Sequence, residues 1–436
     1  MSAMHMANSF DPDTDPVDEG VADLLARRRR SMGAAYRLFY SRPVSVVRAS
    51  GVHLFDDSGA DYLDAYNNVP VAGHSNPRVA AAVSTALLTL STHTRYLTSE
   101  VVEYAERLVA LFPDELSQVV FGCSGSDAVD LSLRVARHVT GRRGVVVTAH
   151  AYHGTTQAAA EVSPSLGPNN PIPPWVVRVS VPDPRDGGAS AAAQRFADDV
   201  AAAADELERR GFGAAALVVD SIMISDGLVL ADQPLLRGAV DAVRARGGLY
   251  VADEVQSGFG RTGRWWGFPA HDVVPDLVVL GKPMGGGMPI SGVVGRPELF
   301  DAFGRDVRHF NTFAGSGASV AAASAVLDEI QDRHLLERAS TVGDRLVGGL
   351  RDLGRDHEGV SDVRGRGLVV AVELAGAGGE GARRARAVVD GLRERRILVS
   401  ASGPAEDVVK IRPPLVFDHA DVDRFLEGFE EVLGLL

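Results

Sequence analysis

The stretch Leu280-Gly281-Lys282-Pro283-Met284-Gly285-Gly286-Gly287 holds one of only two lysines in the 436-residue chain. The other is Lys410, so 42 of the 44 Lys and Arg residues are Arg. Lysine differs from arginine because desolvation can lower its pKa, after which the amine attacks carbonyl groups. Chance retention of a lysine in an arginine-rich chain is the alternative explanation. The sequence around Lys282 decides between the two.

Strand and helix patterns alternate in the middle of the chain. Three apolar runs lead to a polar residue: 214–219 to Asp220, 248–252 to Asp253, and 277–280, through Gly281, to Lys282. Continuous apolar runs separated by helical segments are typical of a mainly parallel sheet covered on both faces. Such sheets bind ligands beyond the carboxyl ends of their strands. We therefore expect an α/β fold with these three polar residues at one site.

Composition divides the chain into four parts. Residues 1–20 are polar and acidic, so we expect a flexible tail with no signal peptide. Residues 21–66 combine a short helix with strand patterns, and we expect them to pack with an α+β region at 316–436 as a smaller domain. Residues 67–315 are expected to form the large domain.

Charge and cysteine content exclude several classes of protein. The net charge of −13 argues against nucleic-acid and membrane-surface partners, both of which need a basic face. No run approaches the ~20 apolar residues of a membrane span. Cys123 is the only cysteine, which excludes an intrachain disulfide and favours a reducing, cytoplasmic location. No metal site is expected.

Two motifs carry a family resemblance. Tyr250–Gly263 (YVADEVQSGFGRTG) together with Pro275–Lys282 (PDLVVLGK) resembles the class III aminotransferases, which use pyridoxal 5′-phosphate (PLP). The resemblance extends over residues 35–430. It implies PLP fold type I, in which a large domain has a mainly parallel, seven-stranded-type sheet. A smaller α+β domain comes from both chain ends.

The resemblance also implies the roles of site residues. Lys282 and Asp253 are the expected catalytic residues: Lys282 would form the aldimine with PLP and move the substrate proton, and Asp253 would keep the pyridine nitrogen protonated. The other expected cofactor contacts are Ser124, Gly125 and Ser126 at the phosphate, Tyr152 and Val255 on the ring faces, Gln256 near the phenolic oxygen, Asp220, and Thr312. His153 either supports this site or is a structural histidine.

Backbone N–H groups and a helix N-terminus are needed to bind the phosphate. Gly122–Ala128 supplies a small-residue turn entering a helix. Asp127-Ala128-Val129 replaces the family's usual Glu-Ala-Asn, which leaves the side-chain contacts there open. His309–Ala318 matches the segment whose threonine reaches the neighbouring subunit's cofactor, so Thr312 implies a homodimer. The alternative, a dinucleotide fingerprint at Gly315-x-Gly317, lacks a preceding apolar strand.

Other stretches resemble the branch of ethanolamine-phosphate phospho-lyases and alanine–glyoxylate-type aminotransferases, among them Gly281-Lys282-Pro283 and Lys410–Leu415. Ser225 stands where amine-directed members carry an acidic residue, for which Asp226 could compensate. A surface salt bridge is the alternative role for Arg95 and for Arg412. The expected substrate contacts are Asn67, Asn68, Arg95, Ser225, Lys410 and Arg412.

Three functions follow from these motifs. The first, which is favoured because it is the commonest activity of the family, is an aminotransferase acting on an amine or amino acid, which could be anionic. The second is a PLP-dependent lyase, phospho-lyase-like or coupling elimination to carbon–carbon bond formation. The third, a non-catalytic PLP-binding protein, is disfavoured by the intact Asp253, Lys282 and Thr312.

Overall fold

The computed structural model describes residues 8–355 and 357–436. Its strands are β1 Val46–Ser50, β2 His53–Asp56, β3 Asp61–Asp64, β4 Gln118–Gly122, β5 Gly144–Thr148, β6 Val176–Val179, β7 Ala214–Asp220, β8 Leu249–Asp253, β9 Leu277–Leu280, β10 Ser291–Gly295, β11 Val360–Arg366, β12 Val369–Leu374, β13 Ile397–Leu398, β14 Ser400–Ser402 and β15 Val408–Ile411. Its α-helices are α1 Glu19–Met32, α2 Pro77–Thr89, α3 Ser99–Val109, α4 Gly125–Thr140, α5 Gln157–Glu161, α6 Ala189–Arg209, α7 Arg237–Ala245, α8 Pro297–Asp306, α9 Gly317–Asp332, α10 Leu335–Arg355, α11 Glu380–Glu394 and α12 His419–Leu433.

The larger of two compact units comprises residues 68–72 and 76–337. Its seven-stranded sheet has the order β4-β10-β9-β8-β7-β5-β6. The strands from β9 to β6 run parallel, while β10 is antiparallel to both of its neighbours. The expected α/β fold with a mainly parallel sheet is confirmed. Every residue of β5 and β9 is buried, as continuous Val- and Leu-rich runs predict.

Helix α4 links this sheet to the site. Ser124 caps its N-terminus, with the side-chain oxygen accepting a hydrogen bond from the Asp127 N–H at 3.2 Å. One face, including Val129 and Leu133, is fully buried in the same apolar cluster as Val147 and Val279 of the sheet. Gly141 ends the helix at φ 65°, where a left-handed residue is needed.

The smaller unit comprises the described residues up to 67, then 73–75 and 338–436. It contains two four-stranded sheets, β1-β2-β3-β13 and β11-β12-β15-β14. The parallel pair of β3 and β13 joins the two ends of the chain in one sheet. This is the α+β unit from both chain ends that the family resemblance implies.

The N-terminal segment differs from the flexible tail expected over residues 1–20, of which residues 1–7 lie outside the described residues. Asn8 and Ser9 are buried, and Ser9 forms a β-bridge with Phe39. Arg386 donates a hydrogen bond to Asp15 at 3.1 Å. Residues 8–18 are therefore anchored by backbone pairing and an ion pair, which an acidic composition does not reveal.

The C-terminal boundary also differs from the expected one between residues 315 and 316. Helix α9 packs against α2 and α3 of the larger unit. Asn76, which caps α2, donates a hydrogen bond to Glu329 of α9 at 2.8 Å. The larger unit consequently extends to Glu337.

Within the described ranges, no helix combines the length and apolar character needed to cross a membrane. The same residues contain no group of three or more His, Cys, Asp or Glu side chains arranged to hold a metal ion.

Candidate active site

The carboxyl ends of three adjacent strands hold the polar residues picked out in the sequence. Asp220 at the end of β7 is paired with Asp253 at the end of β8, and Asp253 is paired with Val279 of β9. Lys282 follows β9 by two residues. Because the three strands are parallel, Asp220, Asp253 and Lys282 lie at the same edge of the sheet.

Asp253 is a buried carboxylate with two neighbours. One oxygen accepts a hydrogen bond from the Val255 N–H at 3.0 Å, and the other lies 2.7 Å from Nδ1 of His153. His153 is itself buried, and its Nε2 has no hydrogen-bond partner. The His153 imidazole therefore contacts Asp253, which fits either expected role, support of the site or a buried structural histidine. A buried carboxylate held in place by an imidazole is suited to pairing with a cationic ligand group.

Asp220 closes the turn that follows β7. Its two oxygens accept hydrogen bonds from the N–H groups of Ile222 and Ile224, at 3.0 and 3.1 Å. Burial, reinforced by the charge of Asp253, raises the pKa of Asp220 to about 7, although both N–H bonds act in the opposite direction. Its contacts are those of a turn-forming residue, directed at the backbone.

Gly281, Gly125 and Val255 bring three loops into van der Waals contact. A Cβ atom on Gly281 would lie 3.2 Å from Cα of Gly125 and 3.4 Å from a methyl carbon of Val255. One on Gly125 would lie 3.3 Å from the same methyl carbon. The start of α4, the turn after β8 and the turn carrying Lys282 therefore meet at glycines because no side chain fits between them.

The first turn of α4 is braced by the loop after β5. Ser126 Oγ accepts a hydrogen bond from the Thr155 N–H at 3.0 Å. Gly154 has φ 144°, and a Cβ there would lie 2.8 Å from Cα of Ser126. The N–H groups of a helix's first turn have no partners within the helix. Ser124, Gly125 and Ser126 thus lie at the N-terminus of a 16-residue helix, where backbone N–H groups could bind an anion.

Two further expected cofactor residues lie on loops of the larger unit. Tyr152 follows β5 and is exposed, next to the buried His153. Gln256 is half-buried, and its Oε1 accepts a hydrogen bond from Nδ2 of Asn68 at 2.7 Å. The structure thus places Asn68, an expected substrate residue, on the side chain of Gln256.

Ser225 lies in a single 3₁₀ turn, Ile224–Asp226, entered through Met223 at φ 46°. Asp226 accepts hydrogen bonds from the Thr148 hydroxyl at 2.7 Å and from the His150 N–H at 2.9 Å. Burial raises its pKa. These contacts hold the Asp226 carboxylate at the end of β5, next to Thr148 and His150.

Arg95 and Thr312 are exposed on neighbouring segments of the larger unit. The Arg95 guanidinium lies 3.7 Å from the centre of the Phe310 ring. Thr312 follows Asn311, whose side chain bonds to Asp127 at 2.8 Å. The Asp127 carboxylate, shorter than the family's usual glutamate, is therefore hydrogen-bonded to the segment that carries Thr312.

A sequence profile described as aminotransferase class-III matches residues 39–433, most of the chain. The chain belongs to this family. Among curated relatives, the alanine–glyoxylate aminotransferase 2-like protein of Drosophila melanogaster is 38% identical, with 94% of this chain and 87% of the relative covered. Ethanolamine-phosphate phospho-lyase homolog 1 of Caenorhabditis elegans is 34% identical, with 95% and 94% covered.

A solved phospholyase from Arthrobacter, determined in complex with phosphoethanolamine, superposes with a TM-score of 0.91. It is 40% identical to this class III chain and covers 95% of it, with 100% of the Arthrobacter chain matched. The chain is accordingly a PLP-dependent enzyme, either a transferase or a lyase. Pyridoxal 5′-phosphate is its cofactor.

The described residues fit this cofactor. Asp253 offers a buried carboxylate for a pyridinium nitrogen, and the start of α4 offers N–H donors for a phosphate. Between them, Gly125, Gly281 and Val255 line a surface with little room for other side chains.

The remaining expected residues of this class III enzyme belong to the smaller unit. Asn67 donates a hydrogen bond from its side chain to Asp64 at 3.0 Å. Lys410 is half-buried on β15, where its backbone pairs with β12 and β14. Arg412 is buried, with its guanidinium 4.8 Å from the centre of the Tyr66 ring.

Glu254 is a residue of this region that sequence reasoning missed. Its fully buried carboxylate accepts four hydrogen bonds, from the hydroxyls of Ser221 and Ser257 and from the N–H groups of Gly267 and Phe268, at 2.6–2.8 Å. Burial nevertheless raises its pKa. An acidic residue directly after an apolar strand, beside the expected Asp253, was the available signal.

Proposed function

We propose that this enzyme is a PLP-dependent lyase that removes an anionic leaving group, such as phosphate, from a small amine. The observation that carries the proposal is the turn at 224–226. Position 225 is Ser, and the adjacent Asp226 carboxylate is taken up by Thr148 and His150. Position 225 therefore lacks the acidic side chain that amine-directed aminotransferases of the family use there to neutralise a carboxylate-binding arginine.

Two cations support an anionic substrate. Lys410 and Arg412 are two residues apart on and after β15, and Arg412 is buried. Arg412 is the residue type preferred for planar, bidentate recognition of phosphate. The Arthrobacter relative holds phosphoethanolamine, a phosphorylated amine of this class.

Each site residue has a distinct role within this proposal. PLP supplies an electron sink for the substrate's Cα carbanion. Lys282 would hold the cofactor covalently and move the substrate proton with its amine, and Asp253, held by His153, would keep the ring nitrogen protonated. Tyr152 and Val255 would hold the ring faces, and Gln256, which accepts a hydrogen bond from Asn68, would bind near the phenolic oxygen.

We also propose a homodimer in which Thr312 reaches the partner's cofactor phosphate. Thr312 is exposed, and Phe313 beside it is 71% exposed. Leu88 and Leu97 of the same unit are 87% and 93% exposed. Apolar side chains of this kind are what the core of a homodimer interface buries. The single cysteine supports a cytoplasmic location.

The test is a turnover assay with phosphoethanolamine and no oxo-acid acceptor. We expect one phosphate, one ammonium ion and one acetaldehyde released and one water consumed per turnover, with the cofactor spectrum unchanged at the end. Conversion of the cofactor to its pyridoxamine form, with no phosphate released, would refute the proposal and establish transamination.

Variants sharpen the assay. Lys410→Met is expected to raise the KM for phosphoethanolamine about tenfold through loss of one charge-assisted contact. Alanine, which lacks a phosphate, is expected to remain a poor ligand for the unaltered enzyme and for the variant. Lys282→Ala is expected to leave no covalently bound cofactor after borohydride reduction. A reduced covalent adduct in that variant would contradict the assignment of Lys282.

The aminotransferase is retained as the second candidate because the Drosophila relative at 38% identity carries that name. An aminotransferase is expected to convert all of its cofactor to the pyridoxamine form when alanine is the amino donor. Addition of glyoxylate is then expected to restore the starting spectrum.

A further inference from the structure

The side chains of Asp127 and Asn311 form a bridge between two functional loops of the larger unit. Asn311 Nδ2 donates a hydrogen bond to an Asp127 oxygen at 2.8 Å. The same oxygen accepts the N–H of Cys123 at 2.9 Å. Asp127 therefore joins the turn that enters α4, where the phosphate donors lie, to the segment after α8.

Asn311 also shapes the backbone around Thr312. Its Oδ1 accepts the N–H of Phe313 at 3.2 Å, which closes a turn with Thr312 at its apex. The Cys123 thiol donates to the same Oδ1 at 3.6 Å. The amide of Asn311 thus fixes the turn that carries Thr312. It also contacts the turn Gly122–Ala128, here called the phosphate loop, through both Cys123 and Asp127.

The phosphate loop and the Thr312 segment are packed too tightly to absorb a change in this bridge. A Cβ on Gly122 would lie 2.8 Å from an Asp127 oxygen and 2.6 Å from Ser291 Oγ. Gly315, at φ 68°, closes the other end of the Thr312 segment, where a Cβ would lie 2.9 Å from a Thr94 methyl carbon. A shift of either loop is therefore transmitted through the Asp127–Asn311 bond to the other.

We infer that Asp127 and Asn311 are positioning residues that couple the two cofactor sites of the dimer. The bridge orders the subunit's own phosphate loop and, at the same time, the Thr312 that this subunit delivers to its partner. The inference rests on the proposed dimer. It predicts that breaking one bridge weakens cofactor binding in both sites.

Mixed dimers made with two affinity tags separate the effect of the bridge on a subunit's own site from its effect on the partner's site. In the first arrangement, one subunit carries Lys282→Ala and Asn311→Ala and the other is unaltered, so only the site receiving the altered Thr312 segment retains a lysine. In the second, Lys282→Ala is in one subunit and Asn311→Ala in the other. The readout is the cofactor concentration needed for half-maximal borohydride-stable labelling of the remaining Lys282.

We expect at least about tenfold weaker cofactor binding in both arrangements, since each loses a hydrogen bond to a charged group. Loss in only one arrangement, or in neither, would overturn the coupling. Asn170→Ala is the matched control: this half-buried amide donates to the Ala160 carbonyl at 2.8 Å and is expected to leave binding unchanged.

Two additional variants keep the outcomes distinct. Thr312→Ala is expected to weaken binding only in the first arrangement; a monomeric enzyme, or no effect of Thr312→Ala, would refute the proposed dimer itself. Asn311→Asp opposes two carboxylates and is expected to weaken binding, and Asp127→Ala combined with Asn311→Ala is expected to bind the cofactor within about twofold of the weaker single variant, because both remove the same bond. Additive losses in the double variant would contradict a role for the bridge.

Discussion

Gly154→Ala tests how the loop after β5 braces the first turn of α4. The new Cβ would lie 2.4 Å from Ser126 Oγ, which can rotate away, and 2.8 Å from Ser126 Cα, which cannot. A disfavoured backbone conformation costs about 1–3 kcal/mol, and overpacking costs a further 1–3 kcal/mol. We expect the free energy of unfolding to fall by about 4 kcal/mol.

Gly141→Ala is the control for this change. It lies at the other end of α4 with φ 65°, and a Cβ there meets nothing within 4 Å. Gly141→Ala is therefore expected to lower the free energy of unfolding only by the cost of its left-handed backbone conformation, about 1 kcal/mol. Urea titrations followed by tryptophan fluorescence measure both stability changes.

Cofactor affinity is the second readout. Displacement of Ser126 moves the N–H donors at the start of α4, so the Kd for PLP is expected to rise at least about tenfold in Gly154→Ala and to stay unchanged in Gly141→Ala. Equal stability losses and equal affinities in the two variants would refute the argument that this contact shapes the phosphate loop.

Three more variants probe buried carboxylates. Glu254→Gln replaces an acceptor of four hydrogen bonds with a group that has one acceptor oxygen, and we expect about 3 kcal/mol lower stability in a urea titration; a loss below 1 kcal/mol would contradict this. Asp226→Ala is expected to cost about 2–4 kcal/mol and to increase hydrogen exchange at residues 221–227, because two buried donors lose their acceptor. Asp220, with its pKa raised to about 7, is protonated in the folded apoenzyme but ionised in the unfolded chain between about pH 4 and 7. Its contribution to stability is therefore largest at low pH and is lost as pH rises towards 7; a pH series in which Asp220→Asn leaves that slope unchanged would contradict the assignment.

The sheet and its functional edge were predictable because their signals are local. An apolar run, its β-branched residues and the polar residue that ends it lie within about eight residues, as for 214–220 and 249–253. Strand β10 was not predicted, because Ser-Gly-Val-Val-Gly is short and resembles a turn. Its antiparallel insertion follows from pairing with β4 and β9, which a linear pattern does not contain.

The contacts between loops were not predictable from one sequence. Asp127 and Asn311 are 184 residues apart, and Asn68 and Gln256 are 188 apart. Nothing local marks either pair, since Asn and Asp are common in turns for their own backbone hydrogen bonds. The burial of the two expected substrate arginines was not predictable either. Arg95 is exposed and Arg412 is buried, although their local sequences do not indicate this difference.

The edge position of β4 constrains when the sheet can assemble during synthesis of the chain. β4 carries the phosphate loop at its end, and its neighbour in the sheet is β10, about 170 residues later in the chain. At a synthesis rate of about 5–20 residues per second, that interval lasts roughly 10–30 s. During it the run Val119-Val120-Phe121 has no strand to pair with and is prone to association with other chains. The exposed run is therefore covered only when β10 emerges, and the β4–β10 edge of the cofactor site can assemble only after that point.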